Sequence, residues 1–149
     1  KKKLGSDRIA NAIGAKKFKN CLIIDFGTAT TFDIIKNGTY EGGVIAPGVN
    51  LSIKNLSQGT ALLPLINLKS HQKSYGKNTI EALNAGFIWG YEGLINNIID
   101  KVISRSKIKY KILLTGGYAN FFKKMIKKKV VIDQHITIKG IANAYKDLV

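Results

Sequence analysis

The apolar positions of this chain recur at two periods, and the switch between them marks its organisation. Leu22, Ile23 and Ile24 form a short apolar run that meets Asp25-Phe26, and two further runs follow, predicting strands over 21–26, 28–35 and 39–45. Asn37-Gly38 is a hairpin signal between the second and third. Ile80, Leu83, Phe87, Tyr91, Leu94, Ile98 and Val102 instead recur at helical spacing behind Asn78-Thr79, predicting a long helix with one buried face. Before the first strand, Ser6-Asp7 caps a predicted helix reaching about residue 17, with Ile9, Ala12 and Ile13 on one face. Pro47-Gly48 opens a weak helix to about residue 56, and the polar stretch 58–78, with Gly59, Pro64 and Gly76, reads as a surface loop. A strand over 108–114, a turn at Thr115-Gly116-Gly117, a helix over 118–127, a short strand over 130–132 and a last helix over 140–149 complete the order. Three antiparallel strands followed by alternating helices and strands predict an α/β domain with a mixed sheet layered by helices. Gly86 and Gly90 stand four apart inside the long helix, a costly choice unless something packs closely there. A second copy of the chain and packing against the sheet both remain open as its partner.

Composition narrows the class. A length of 149 residues, 45% hydrophobic, fits a single folded domain with a real core. The one methionine is Met125 and the chain opens at Lys1-Lys2-Lys3, which reads as a piece of a longer protein. The apolar stretch 80–103 carries Glu81, Glu92, Asn96, Asn97 and Asp100, so it is not a membrane span. Cys21 stands alone, which rules out an internal disulfide or a cysteine metal cluster and agrees with a reducing cytoplasm. His71 and His135 are isolated, without metal spacing, and read as surface residues. A net charge of +15 invites nucleic acid, but of the 24 basic residues only Arg8 and Arg105 are arginine. Lysine is a point charge without the bidentate fork, so the excess reads as a solvated basic surface. The densest patch, Lys123-Lys124 with Lys127-Lys128-Lys129, has only Phe121-Phe122 beside it for stacking, which argues against a nucleic-acid partner.

Four short stretches could carry chemistry. In Asp25-Phe26-Gly27-Thr28, a carboxylate ends a buried strand, Gly27 lets the backbone approach a ligand, and the Thr28 hydroxyl with free N–H groups suits phosphate; a plain tight hairpin is the alternative. Leu4-Gly5-Ser6-Asp7-Arg8 puts an acid beside an arginine at a helix start, either a substrate site or a cap with a neighbouring salt bridge. Thr115-Gly116-Gly117 joins a strand to a helix N-terminus, either an anion site or a turn. Gly76-Lys77-Asn78-Thr79 opens the long helix as a cap or as a ligand contact.

Taken in order, Gly5-Ser6-Asp7-Arg8, Asp25-Phe26-Gly27-Thr28-Ala29-Thr30-Thr31-Phe32-Asp33, Gly42-Gly43-Val44-Ile45-Ala46-Pro47-Gly48, Gly76-Lys77-Asn78-Thr79 and Thr115-Gly116-Gly117 resemble type III pantothenate kinase over essentially the whole chain. That family belongs to the actin-like, sugar-kinase and Hsp70-like ATPase superfamily, which implies a ribonuclease-H-like core. The resemblance implies ATP-dependent phosphorylation of pantothenate, the first step of coenzyme A biosynthesis, with magnesium, a monovalent cation (potassium or ammonium) and a cytoplasmic homodimer. It makes Asp7 the general base and Gly5, Ser6, Asp7, Arg8 and Thr79 the pantothenate-binding residues. It makes Asp25 the ligand of the monovalent cation and Thr28 an ATP-phosphate contact, while Gly42, Gly43 and Gly48 shape the site. Ser6 departs from the alanine usual there. Arg8 would either recognise the pantothenate carboxylate or hold Asp7. The family's first Asp-x-Gly-Asn-Thr phosphate loop does not occur in these residues. The chain therefore reads as a single C-terminal lobe over 1–149, its helix at about 6–18 belonging to the interlobe substrate region, nearly inactive by itself. A non-catalytic homologue serving as regulator or scaffold, or another small-molecule kinase of the superfamily, is the rival reading.

Overall fold

Alternation along the first strand decides which side chains face which layer. In β1 (Cys21–Phe26), Leu22, Ile24 and Phe26 join one buried apolar cluster, while Cys21 and Ile23 join a second on the other face. β2 (Ala29–Lys36) pairs antiparallel with β1, and β3 (Thr39–Pro47) pairs antiparallel with β2. β4 (Lys111–Gly116) lies parallel to β1 and β5 (Val130–Ile132) parallel to β4, giving the order β3-β2-β1-β4-β5. The expected mixed sheet and three-strand meander are both present. Asn37 and Gly38 turn the β2–β3 hairpin with φ of 52° and 79°, the left-handed pair that such a turn requires. The computed structural model describes residues 4–69 and 74–146, so Lys1 to Lys3, His71 and the helix end predicted over 147–149 lie outside the described residues.

Helices cover both faces. α2 (Val49–Gln58), α3 (Thr79–Ser106) and α4 (Ala119–Phe122) pack on the Leu22 face, where Phe26 and Phe122 stack with ring centroids 5.6 Å apart. α1 (Ser6–Gly14) and α5 (Ile136–Lys146) lie together on the Cys21 face. They meet through glycines: a Cβ at Gly14 would strike the Ile136 carbonyl, and one at Gly140 the Ala10 carbonyl. That contact explains two departures from the predicted boundaries. α1 stops at Gly14 rather than near 17 as the chain turns over buried Ala15, and α5 begins at Ile136, with Gly140 inside it rather than at its start.

Other boundaries also differ. Gly5 occupies the N-cap of α1 without a side-chain cap bond, so Ser6 and Asp7 are helical residues rather than the cap. The buried face of α1 is Ala10 and Asn11, and Ile9 is exposed, because small residues admit α5 and Asn11 has polar work facing the sheet. In α3 the most buried line is Ile88, Tyr91, Ile95 and Ile99, about one residue round from the predicted stripe, and Ile80 is exposed. Lys107 ends α3 in the left-handed region, which delays β4 to Lys111 and carries it through Thr115. The predicted 118–127 helix is only α4 plus a 3₁₀ turn, Lys123–Met125. Gly86 and Gly90 do not pack against the sheet: a Cβ at either would meet nothing within 4 Å among the described residues.

Candidate active site

The C-terminal ends of parallel β1 and β4 lie side by side, with Asp25 opposite Thr115 and Phe26 opposite Gly116. Such an edge is where open α/β sheets bind ligands. Gly27 and Thr28 form the turn from β1 to β2 beside it; both are exposed, and the Gly27 N–H donates to the Ala29 carbonyl at 3.1 Å. The turn is an exposed hairpin, the place where the expected phosphate cradle would lie. Gly48, just past the end of β3, lies against this turn, and a Cβ there would strike the Thr28 carbonyl. Thr30 is not part of the cradle. It is fully buried, and its hydroxyl donates to the Pro47 carbonyl at 3.0 Å.

The second face of the sheet turns polar towards this edge. Asp25 and Asp33 alternate with apolar neighbours so that both point towards α1, in register with Thr31 and Ile23 respectively. Asn11 of α1, fully buried, donates through Nδ2 to Asp25 Oδ2 at 2.8 Å and accepts the Thr137 hydroxyl of α5 at 2.6 Å. Burial raises the Asp25 pKa above its ordinary value; the Asn11 bond opposes this, while the charges of Asp7 and Asp33 add to it. Asp7, in the first turn of α1, is exposed, and no residue of the fold bonds its carboxylate among the described residues. Gly5 makes room for it, since a Cβ there would lie 2.7 Å from Asp7 Oδ1. Asp7 thus stands at a helix N-terminus with its carboxyl group open to solvent.

Arg8 does not hold Asp7. Neighbours in sequence do not face each other on a helix. The guanidinium instead turns to the sheet, where Nε donates to Asp33 Oδ1 at 2.8 Å and Nη2 lies 2.7 Å from the same oxygen. Nη2 also donates to the Tyr40 hydroxyl at 2.7 Å, and that hydroxyl donates to Asp33 Oδ1 at 2.8 Å. Burial opposes the Arg8 charge, but the bond and charge of Asp33 outweigh it and leave the pKa raised. Burial, followed by the Asp33 bond and charge, pushes the Tyr40 phenol up to about 12. The salt bridge expected beside a cap is therefore made with a strand residue, not with the adjacent acid.

Acidic groups gather at the Asp25 end of the site. Asp25 feels the charges of both Asp7 and Asp33, and Arg8 is bonded to Asp33. Among the described residues no group of three or more His, Cys, Asp or Glu side chains is arranged to hold a metal ion.

The remaining predicted positions separate from this cluster. Thr79 is exposed in the first turn of α3, on the opposite layer from Asp7, and lines a 340 Å³ apolar cleft with Leu56, Leu63, Leu83 and Phe87. The stretch before it forms a cap: Asn78 accepts from the Glu81 N–H at 3.0 Å and Glu81 accepts from the Lys77 N–H at 2.9 Å. The helix after Thr115-Gly116-Gly117 is a single turn, too short to present an anion-binding dipole. A 630 Å³ cavity between β2–β3 and the end of α3 is on the apolar layer, away from Asp7 and Asp25, so volume does not mark the candidate chemistry here. Asn11, Asp33 and Tyr40 were missed in the motif reading. Asp33 had a signal, since an aspartate between Phe32 and Ile34 in mid-strand demands a buried partner.

The sequence profile described as "Type III pantothenate kinase" matches residues 1–101, a span that includes Asp7, Asp25, Thr28 and Asp33. The chain belongs to the type III pantothenate kinase family. It is 51% identical over 144 residues to the type III pantothenate kinase of Pelagibacter ubique, covering 96% of this chain and 58% of that protein. It is 38% identical to the one from Ruegeria sp., covering 96% and 56%. The chain thus spans a little over half the length of these relatives. Among solved structures it is similar to a Baf family transcriptional activator from Campylobacter jejuni, with a TM-score of 0.68, 25% identity, and coverage of 99% of this chain and 66% of that one. A 2-dehydro-3-deoxygalactonokinase from Sinorhizobium meliloti aligns with a TM-score of 0.64 at 12% identity, covering 93% and 58%, a likeness of fold alone that agrees with the actin-like, sugar-kinase architecture.

Proposed function

We propose that the protein carrying this chain phosphorylates pantothenate to 4′-phosphopantothenate with ATP and magnesium, the entry step of coenzyme A synthesis. The observation that carries the reading is Asp7: an exposed carboxylate at a helix start, without a bond among the described residues, at the same end of the sheet as a half-buried Asp25 on which its charge acts. Phosphoryl transfer needs alignment and charge neutralisation more than covalent help. In this reading Asp7 orients the primary hydroxyl and takes its proton. Gly5, Ser6 and Arg8 complete the pantothenate segment, with Arg8 Nη1, which has no partner among the described residues, meeting the substrate carboxylate. Thr28 and the Gly27 turn hold ATP phosphate, and Asp25 binds the potassium or ammonium ion that offsets developing charge. Thr79 joins this list only when a second copy supplies it, which the proposed homodimer would allow.

The 149 residues contain one phosphate turn and lack the family's Asp-x-Gly-Asn-Thr loop, and the relatives are longer, so we expect slow turnover from this stretch by itself. The experiment is ATP-dependent formation of phosphopantothenate by the full-length protein and by residues 1–149 alone. No product from the full-length protein sinks the reading; rapid turnover by the 149 residues removes the split site. A second reading, a nucleic-acid-binding regulator, has one observation in its favour, the likeness to a protein described as a transcriptional activator together with the +15 charge. It requires DNA affinity that falls steeply with salt, and no binding at low salt dismisses it.

A further inference from the structure

Asp33 is fully buried in the middle of β2, and one of its oxygens does all its bonding. Oδ1 takes Arg8 Nε, Arg8 Nη2 and the Tyr40 hydroxyl, while Oδ2 has no partner among the described residues. A buried pair with an orphaned oxygen is poorly optimised for stability, since packed apolar residues would serve as well or better. What the arrangement does achieve is orientation. The Nε–Nη2 edge of the guanidinium is pinned in a closed triangle with Asp33 and Tyr40, which leaves Nη1 as its free donor. Arg8 is confined as well as bonded, with its side chain only 13% exposed. Gly43, opposite Asp33 in the β2–β3 register, supplies the space: a Cβ there would strike Arg8 Nη2 and the Phe32 carbonyl and come within 3.0 Å of Asp33 Oδ1.

We propose that Asp33, with Tyr40 and Gly43, is the positioning device that presents Arg8 to the carboxylate of the substrate, so that selectivity for an acid over its neutral analogue is set on β2 and β3. This rests on the reading of pantothenate as substrate and adds to it residues that touch no substrate. A guanidinium fixed on one edge offers its remaining donors without first losing side-chain freedom, which is where pre-organisation gains affinity and discrimination.

The test compares the full-length protein with Asp33→Asn on pantothenate and on its primary carboxamide, which lacks the charge. The variant is expected to lose about 10- to 100-fold in kcat/KM for pantothenate, mostly through KM, a size typical of a misplaced binding group. Turnover of the carboxamide and the KM for ATP stay within about threefold. Equal losses on acid and amide, or no loss on either, overturn the proposal while leaving pantothenate phosphorylation by the wild type intact. The Arg8 Nε–H resonance, assigned by its disappearance in Arg8→Lys, gives a readout independent of activity. Slow exchange with water in the wild type and fast exchange in Asp33→Asn support the proposal even if pantothenate proves the wrong acid. Fast exchange already in the wild type defeats it.

Discussion

The two faces of the sheet are built from the same strands and do different work. Towards α2, α3 and α4 every inward residue of β1 is apolar, and the layer closes on an aromatic group in which Phe122 contacts Phe26, Tyr91, Tyr118 and Phe121. Towards α1 and α5 the layer starts apolar at Cys21, Ile23 and Ile136. It becomes polar along the strand, through Asp33 and Asp25 with Arg8, Asn11 and Thr137 above them. The pleat keeps the two apart, because successive residues of a strand point to opposite faces. Stability can thus be concentrated on one side, while the other tolerates a buried Asp33 with an oxygen that no described residue bonds.

The largest effect expected on the polar side is on rate. Asp7→Asn in the full-length protein should lower turnover by about 10²- to 10⁴-fold, the range for loss of a general base. It should leave the melting temperature close to wild type, because no described residue bonds that carboxylate. A steady-state assay beside a thermal melt checks both halves, and a large melting shift with activity retained would reverse the assignment of the two faces. On the apolar side the corresponding change is Phe122→Ala. It removes a fully buried ring from the aromatic group and should cost about 3–5 kcal/mol in a denaturant titration.

How much of this was legible in the sequence follows the same division. The meander, the Asn37-Gly38 hairpin and the existence of α3 were readable because period-2 and period-3.6 patterns report apolar faces. The α1–α5 contact was not. It is made by Gly14 and Gly140 across most of the chain, and no local pattern announces that two glycines will touch each other's helices. The site divided likewise. Asp7, Asp25 and Thr28 are carried by short motifs, and the fold gathers them at one end of the sheet. Asn11 and Tyr40 act through partners 14 and 32 residues away, so only the folded register assigns them. Thr79 had a motif, but the fold gives it to the other layer.

A smaller effect distinguishes the faces by pH. Burial first, then the charges of Asp7 and Asp33, raise the folded pKa of Asp25 above the 3.8 of a free aspartate, despite the bond from Asn11. The native state therefore keeps a proton that the unfolded chain has already released. That contribution to stability is complete below pH 3.8 and is lost as pH rises through the folded value. Asp25→Asn keeps the acceptor for Asn11 and removes the charge. Its stability relative to wild type should climb as pH rises through this window, and added potassium should narrow the gap by stabilising the wild type. Parallel pH profiles for the two proteins would mean that Asp25 bears no excess charge cost.

The smallest effect tests the outer surface of the apolar layer, where Gly86 and Gly90 look away from the sheet, with no described residue within 4 Å of a Cβ at either position. Each glycine lowers helix stability by about 0.5–1 kcal/mol relative to alanine. Gly86→Ala and Gly90→Ala should therefore each gain about that much in dilute full-length protein, the opposite sign from alanine at Gly14 or Gly140, whose neighbours leave no room. Protein concentration adds the second reading. If this face is where two copies meet in the proposed homodimer, the added methyls weaken association, and the gain seen in dilute solution shrinks or reverses as concentration rises. A gain that holds at every concentration leaves the glycines without a partner and moves the dimer contact elsewhere. A loss at every concentration would mean that another part of the same protein packs on this helix.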